Sequence, residues 1–245
     1  MDISIVIPIY NESRSINRLY KEIVGVMTSL EKSFEIIFID DGSTDSTFNI
    51  LKGIDNEANK NGVNFKYIKG EYNFGKGAAL QVGFKEASGK IIITMDGDLQ
   101  DDPNEIPKLI NKINEGYDLV SGWKFKRHDS LTKVIPSKIF NFIISRLTRV
   151  RIHDFNCCLK AYRREVVKGL DINGGLYRFI PALVFYKGFK IAEIKVNHRP
   201  RIYGKSKYGF KRFFQAFFDL FTIVFLIRFN KIYVRNSVKY KNVWK

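Results

Sequence analysis

The sequence predicts an α/β protein built on a doubly wound, mostly parallel sheet. Three observations point there. Short β-rich apolar runs alternate with longer segments of helical periodicity over the first 120 residues, the pattern of repeated βαβ units. Four successive apolar runs end in polar, charged or glycine-rich residues, where such sheets carry their ligand sites. The chain has 245 residues and is 45% hydrophobic, enough to bury a sizeable core, so disorder is excluded.

Strands are expected at Ile3–Pro8, Glu35–Ile39, Asn64–Ile68, Ile91–Met95 and Asp118–Ser121. Between them, Ile16–Leu30, Thr44–Ala58, Ala78–Ala87 and Asn104–Asn114 place apolar residues at helical spacing, the last with Pro103 near its start. The strand ends read Pro8-Ile9-Tyr10-Asn11-Glu12, Asp40-Asp41-Gly42-Ser43, Asn73-Phe74-Gly75-Lys76-Gly77 and Asp96-Gly97-Asp98, and the topology gathers them on one edge. Beyond Ser121 the alternation loosens into a basic stretch, a helix near Lys138–Leu147, and β candidates at Cys158–Tyr162 and Phe189–Val196. The segment Tyr203 to Gly209 is basic and glycine-flanked, suited to a loop over a phosphate. Fifteen residues from Phe213 to Ile227, flanked by Lys211, Arg212 and Arg228, form a helix of about 22 Å, short of the roughly 30 Å hydrocarbon core. Its stripe of Gln215, Asp219 and Thr222 predicts an amphipathic helix lying in a membrane interface; packing on the core or in a dimer interface is the alternative.

The net charge of +16 is uneven. Between Lys195 and Lys245 there are thirteen Lys and Arg against Asp219 alone, so this end should meet something anionic. The two cysteines, Cys157 and Cys158, are adjacent, poor geometry for a structural disulfide, and fit a reducing, cytoplasmic setting as buried apolar residues. The run Ile3 to Tyr10 lacks a basic leader and is not expected to be a signal peptide. His128, His153 and His198 show no metal-ligand spacing.

Against the basic background stands the acidic stretch MDGDLQDDPNEIP. Asp96 and Asp98, separated by Gly97, can converge on one divalent cation, with Gln100 as a further oxygen ligand, although a lone Asp-Gly-Asp is also an ordinary turn. Asp101, Asp102 and Glu105 are expected to serve the start of the following helix, where carboxylates complement the dipole.

SIVIPIYNE, EIIFIDDGSTDST, NFGKGAAL, MDGDLQDDP and HRPRIYGKSKYG, in this order, resemble inverting glycosyltransferase family 2, most closely the polyprenyl-phosphate group that includes dolichyl-phosphate mannosyltransferase. The likeness covers about residues 3 to 229. It implies a GT-A fold, a UDP- or GDP-sugar donor, a Mg or Mn ion and a polyprenyl phosphate acceptor at the cytoplasmic face of a membrane. It divides the chain into a catalytic domain over 1–210 (nucleotide-sugar half 1–121, acceptor half 122–210), the interfacial helix 211–229 and a basic tail 230–245. Many relatives continue into membrane-spanning helices, so the polar tail suggests a peripheral protein, a separate membrane-anchor partner or a homo-oligomer.

Carried over by position, Pro8, Tyr10 and Glu12 would cradle the base and ribose, with Asp40 contacting the nucleoside and Asp41 nearby, all in the nucleotide-sugar site. Lys76, Asp96 and Gly97 complete the nucleotide-sugar set, and Asp96, Asp98 and Gln100 would hold the metal. Arg201, Ser206 and Lys207, in the pattern RxxGxSK, match the loop that closes over the diphosphate. Lys124, Lys133 and Ser137 fall at acceptor-phosphate positions, with Lys where some relatives have Arg, which replaces a bidentate fork by point charges. Asp98, Arg201 and Lys207 would act in catalysis, and Asp154 would be the base if the acceptor were a glycan hydroxyl. A nucleic-acid-binding module is disfavoured, because the chain has no such motif and acidic strand ends repel phosphate.

Overall fold

The structure, a computed structural model, describes residues 1–126, 131–172, 174–203 and 218–225, with the backbone alone for 131–133. Seven strands form one sheet: β1 (Ile3–Ile9), β2 (Phe34–Asp40), β3 (Asn64–Lys69), β4 (Ile91–Thr94), β5 (Leu119–Lys124), β6 (Lys160–Arg163) and β7 (Ile191–Val196). The helices are α1 (Ile16–Thr28), α2 (Thr47–Lys60), α3 (Lys76–Glu86), α4 (Ile106–Asn114), α5 (Leu131–Thr148), α6 (Arg164–Val167) and α7 (Ile180–Tyr186), with α8 over 218–225. Short 3-10 turns run over Pro103–Glu105 and Gly174–Phe179.

The strand order is β3-β2-β1-β4-β6-β5-β7. The pairs β1–β2, β1–β4 and β2–β3 are parallel, as expected of the first 120 residues; β5–β7 is parallel too, and β6 runs antiparallel between β4 and β5. Central β1, ISIVIPI, is buried along its whole length, because a parallel strand covered on both faces has no polar side. Ile3, Ile5, Ile7 and Ile9 pack with α1, α2 and α4 on one face, whereas Val6 joins α3, α6 and α7 on the other. Edge strand β3 instead alternates exposed and half-buried residues and carries Lys66 and Lys69, which discourage pairing with another chain.

The helices bury the faces their periodicity predicts: Ile16, Leu19, Tyr20, Ile23 and Met27 in α1, and Ile106, Leu109, Ile110 and Ile113 in α4. Helix α5 starts at Leu131 rather than near Lys138 and continues through Pro136, whose missing N–H makes it a poor helix-interior residue. A third apolar cluster joins Phe140 and Ile144 of α5 to Phe179 and to Leu220 and Ile223 of α8. In α8 the expected polar stripe divides: half-buried Asp219 receives a hydrogen bond from Arg178 at 3.1 Å, whereas Thr222 is exposed and bonds back to the Phe218 carbonyl; Gln215 lies outside the described residues. The remaining parts of the expected 211–229 helix and the 230–245 tail lie outside the described residues. Among those described, no helix is long and apolar enough to cross a membrane.

Candidate active site

Reversal of strand order between β1 and β4 leaves a crevice beyond their carboxyl ends. A cleft of about 350 Å³ opens there, lined by Pro8, Tyr10, Glu12, Asp41, Lys76, Asp96, Gly97, Asp98 and Arg201 among others. These are nine of the positions singled out in the sequence, and they come from the ends of β1, β2 and β4, the start of α3 and the segment after β7.

One wall is tied together by local hydrogen bonds. Asn11 adopts a left-handed φ of 52°, and its side-chain oxygen accepts from the Thr44 N–H at 2.8 Å and the Asp45 N–H at 3.3 Å. The Asn11 and Glu12 N–H groups donate to the Ser43 and Thr47 hydroxyls. The carboxylate of Asp41 accepts from the N–H groups of Phe74 (2.9 Å) and Gly75 (2.8 Å), so it holds the loop that enters α3. Burial raises its pKa, and those two donors work in the opposite direction. Asp40, expected as the nucleoside contact, is fully buried, accepts from the Ser43 N–H and is not among the residues lining the cleft, whereas Asp41 is. Asn11 was missed as a site organiser, although Asn at a strand end is a recognisable signal for left-handed backbone.

The charged end is built by the acidic stretch. Asp96 pairs with Lys76, and its N–H donates to Asp101 Oδ2 at 2.9 Å. Burial tends to raise the Asp96 carboxyl, but the ammonium groups of Lys76 and Lys124 outweigh it and hold it at about 2. Asp98 is pushed up to about 6 by burial and by neighbouring Asp96, against the pull of Arg201. The Arg201 guanidinium lies 2.5 Å from Asp98 Oδ2 and 3.0 Å from Gln100 Oε1. Gly97 is required by packing as well as by access, because a Cβ there would come within 2.5 Å of Ile9 Cγ2.

Asp101 corrects the expectation that it serves a helix start. Leu99 turns the chain through a left-handed φ of 66°, and Asp101 folds back, 1% exposed, beneath Asp96 and 3.9 Å from Lys124. Asp102 does cap the turn before α4, through the Asn104 N–H, and also holds Arg199. Glu105 is buried at that start and paired with Lys108.

The donor atoms suit a hard divalent cation. Asp98 and Gln100 already converge on one cationic group, and carboxylates 96, 98 and 101 crowd each other enough to raise Asp98; a cation among them relieves that repulsion. Carboxylate and amide oxygens match Mg or Mn. Asp96, Asp101 and Cys158 also place one ligand atom each within 4.8 Å of one another. Burial pushes the Cys158 thiol up to about 12, which keeps it protonated, and both cysteines are free and buried, as the sequence suggests.

Lys124 lies 3.9 Å from Asp101 with an 11% exposed side chain and is not among the residues lining the cleft. Ser137 is half-buried on α5; the Lys133 side chain, Ser206 and Lys207 lie outside the described residues. Asp154 is 3% exposed, accepts from the Asn156 N–H at 3.1 Å, and has its own N–H held by Glu193. Next to it, His153 stacks on Trp123 with ring centroids 4.0 Å apart. Buried Lys160, which the sequence did not single out, donates to the Phe155 and Cys157 carbonyls and so orders the 155–158 turn.

The family described as glycosyl transferase family 2 matches residues 4–170. The chain is 38% identical over 234 residues to a dodecaprenyl-phosphate galacturonate synthase of Rhizobium johnstonii, covering 94% of this chain and 68% of that one. It is 40% identical over 220 residues to an undecaprenyl-phosphate 4-deoxy-4-formamido-L-arabinose transferase of Shewanella sediminis, covering 90% and 66%. The chain thus spans about two thirds of the length of these relatives. Among solved structures, glucosyl-3-phosphoglycerate synthase from Mycobacterium tuberculosis, in complex with Mn2+, UDP-glucose and phosphoglyceric acid, superposes with a TM-score of 0.66 at 18% identity, covering 92% of this chain and 79% of that one. The mostly parallel sheet is therefore of the GT-A type, and with the match over residues 4–170 the chain belongs to glycosyl transferase family 2 and is a glycosyltransferase.

Proposed function

We propose that the protein moves a sugar, with inversion, from a UDP- or GDP-sugar to a polyprenyl phosphate at the cytoplasmic face of a membrane. The observation that carries this reading is the cleft itself, which gathers Lys76, Asp96, Asp98 and Arg201 with Pro8, Ile9 and Tyr10 beyond the carboxyl ends of the strands. The two polyprenyl-phosphate sugar transferases to which the chain is similar support the acceptor, and the Mn2+ and UDP-glucose of the mycobacterial neighbour support the donor and a divalent ion.

Asp96, Asp98 and Gln100 would hold Mg or Mn, which when bound neutralises charge on the departing nucleoside diphosphate. Lys76 and Arg201 add fixed positive charge where that diphosphate forms, and Lys207 follows in the same basic segment. A phosphate acceptor is already an oxyanion at neutral pH, so it needs a cationic seat rather than a strong base. Lys124, Lys133 and Ser137 are proposed for it. The burial of Asp154 and its bond to the Asn156 N–H favour a loop-ordering role over that of a base for a glycan hydroxyl.

A lipid surface is supported by exposed apolar side chains at helical spacing on two helices: Ile135, Ile139 and Phe142 of α5, and Phe218, Phe221 and Phe225 of α8, each more than half exposed. The test is a panel of labelled UDP- and GDP-sugars with Mg or Mn, with and without a polyprenyl phosphate. The expected product partitions into organic solvent and is acid labile. Label recovered solely in aqueous glycan, with lipid phosphate inert, would overturn the acceptor assignment.

A further inference from the structure

Arg201 supplies the guanidinium of the cleft, yet it belongs to no helix or strand: its side chain reaches Asp98 and Gln100 from the segment that leaves β7. A charge on such a segment is well placed only if the backbone beneath it is held. The sequence there is Asn197-His198-Arg199-Pro200-Arg201. Proline fixes φ at about −65° and confines the residue before it to extended backbone, so the chain between 199 and 201 has little freedom. Whatever anchors Arg199 therefore aims Arg201.

The anchor is a clamp across the acidic stretch. The Asn197 amide donates to Asp102 Oδ2 at 3.0 Å, His198 pairs with Asp101 in an antiparallel bridge, and the Arg199 N–H donates to the Gln100 carbonyl at 2.9 Å. The Arg199 side chain then forks: Nη1 lies 2.5 Å from Glu22 Oε2 in α1, and Nη2 lies 2.7 Å from Asp102 Oδ1. The other oxygen of Glu22 takes Arg18 at 2.8 Å. One planar group thus joins three parts of the chain: α1, the turn before α4 and the segment carrying Arg201. A guanidinium has the spread of fixed donors to do this, and an ammonium does not.

We propose that Arg199 is a positioning residue for sugar transfer: gripped by Glu22 and Asp102, it sets where Arg201 meets the diphosphate of the donor. The inference deepens the proposed function and rests on its reading of Arg201 as a diphosphate ligand. Arg199 is not among the residues lining the cleft, so it acts through Arg201 and not by touching the donor.

Binding of UDP, GDP and inorganic pyrophosphate, each with Mn2+, is measured by titration calorimetry on the full chain. The proteins are wild type, Arg199→Met, Arg199→Lys, Arg201→Ala and the double variant Arg199→Met with Arg201→Ala. Arg199→Met keeps most of the side-chain length and should weaken nucleotide and pyrophosphate alike, roughly 5- to 30-fold. Arg199→Lys, which cannot span Glu22 and Asp102 together, should recover only part of that affinity. In the Arg201→Ala background the same Arg199→Met change should cost less than about 2-fold, because the group it aims is gone. Wild-type affinity in Arg199→Met overturns the proposal. So does an equal loss in both backgrounds, which marks Arg199 as general support for the fold, or a loss for nucleotide with pyrophosphate unchanged. A wild type that binds pyrophosphate but neither UDP nor GDP fails the nucleotide-sugar reading, while the pyrophosphate cycle still decides the role of Arg199.

Discussion

Glu35 offers a quantitative test of how the closed end of the sheet is held. It is 1% exposed at the start of β2, yet its carboxylate accepts from the Ser4 hydroxyl at 2.6 Å and from both the Ser88 hydroxyl and N–H at 2.7 Å. Lys66 completes the set at 2.9 Å. Burial alone would raise the carboxyl, but these donors prevail and lower it from its ordinary 4.5 to about 2. At 1.36 kcal/mol per pH unit, that difference corresponds to about 3 kcal/mol favouring the folded state. The sign follows from the depressed folded value: the contribution is fully present above about pH 4.5 and is lost as pH falls toward 2. Glu35→Gln should therefore lower stability at pH 7 by about 3 kcal/mol, a drop of roughly 6–12 °C in Tm for a chain of this size. Calorimetric melts of both proteins between pH 7 and pH 2 should show a gap that is constant down to pH 5 and closes toward pH 2. Activity per folded molecule should persist, because Glu35 lies at the opposite end of the sheet from the cleft. A gap below about 0.5 kcal/mol at pH 7, or one that stays constant to pH 2, would refute the reasoning.

At the catalytic end, Asp98→Ala should cut kcat by at least about 100-fold and remove the effect of Mn2+ on donor affinity; near-normal turnover in a radiolabel transfer assay would sink the metal assignment. Gly42→Ala combines a Cβ in a left-handed conformation with a collision at the Tyr72 backbone, and should destabilise by about 2–4 kcal/mol. Its urea midpoint should fall; an unchanged midpoint would mean that the two loops are not locked together.

Much of the site was legible along the chain because strand ends are local features. A run such as EIIFID followed by DGS must stop where it does, and parallel topology then brings all such stops to one edge. What could not be read was which of two adjacent acids faces the cleft. Asp40 and Asp41 differ only by the alternation of a strand, and the last paired residue of β2, Asp40, turns inward. The acidic stretch had the same ambiguity. Asp101 looked like a helix-start residue until the left-handed Leu99 returned it to the Asp96 N–H. A non-glycine in that conformation costs about 1–2 kcal/mol, offset here by full burial of the Leu99 side chain.

Periodicity and strand-end composition, read from the sequence alone, determined the α/β class, the parallel first half and most of the cleft, since each depends on residues within a few positions of one another. Tertiary structure alone decided that β6 enters antiparallel between β4 and β5, that Asp101 and Lys124 form the floor beneath Asp96, and that Asp219 turns to Arg178 rather than to solvent. Those outcomes rest on partners dozens of residues away, whose proximity is set by packing across the whole sheet.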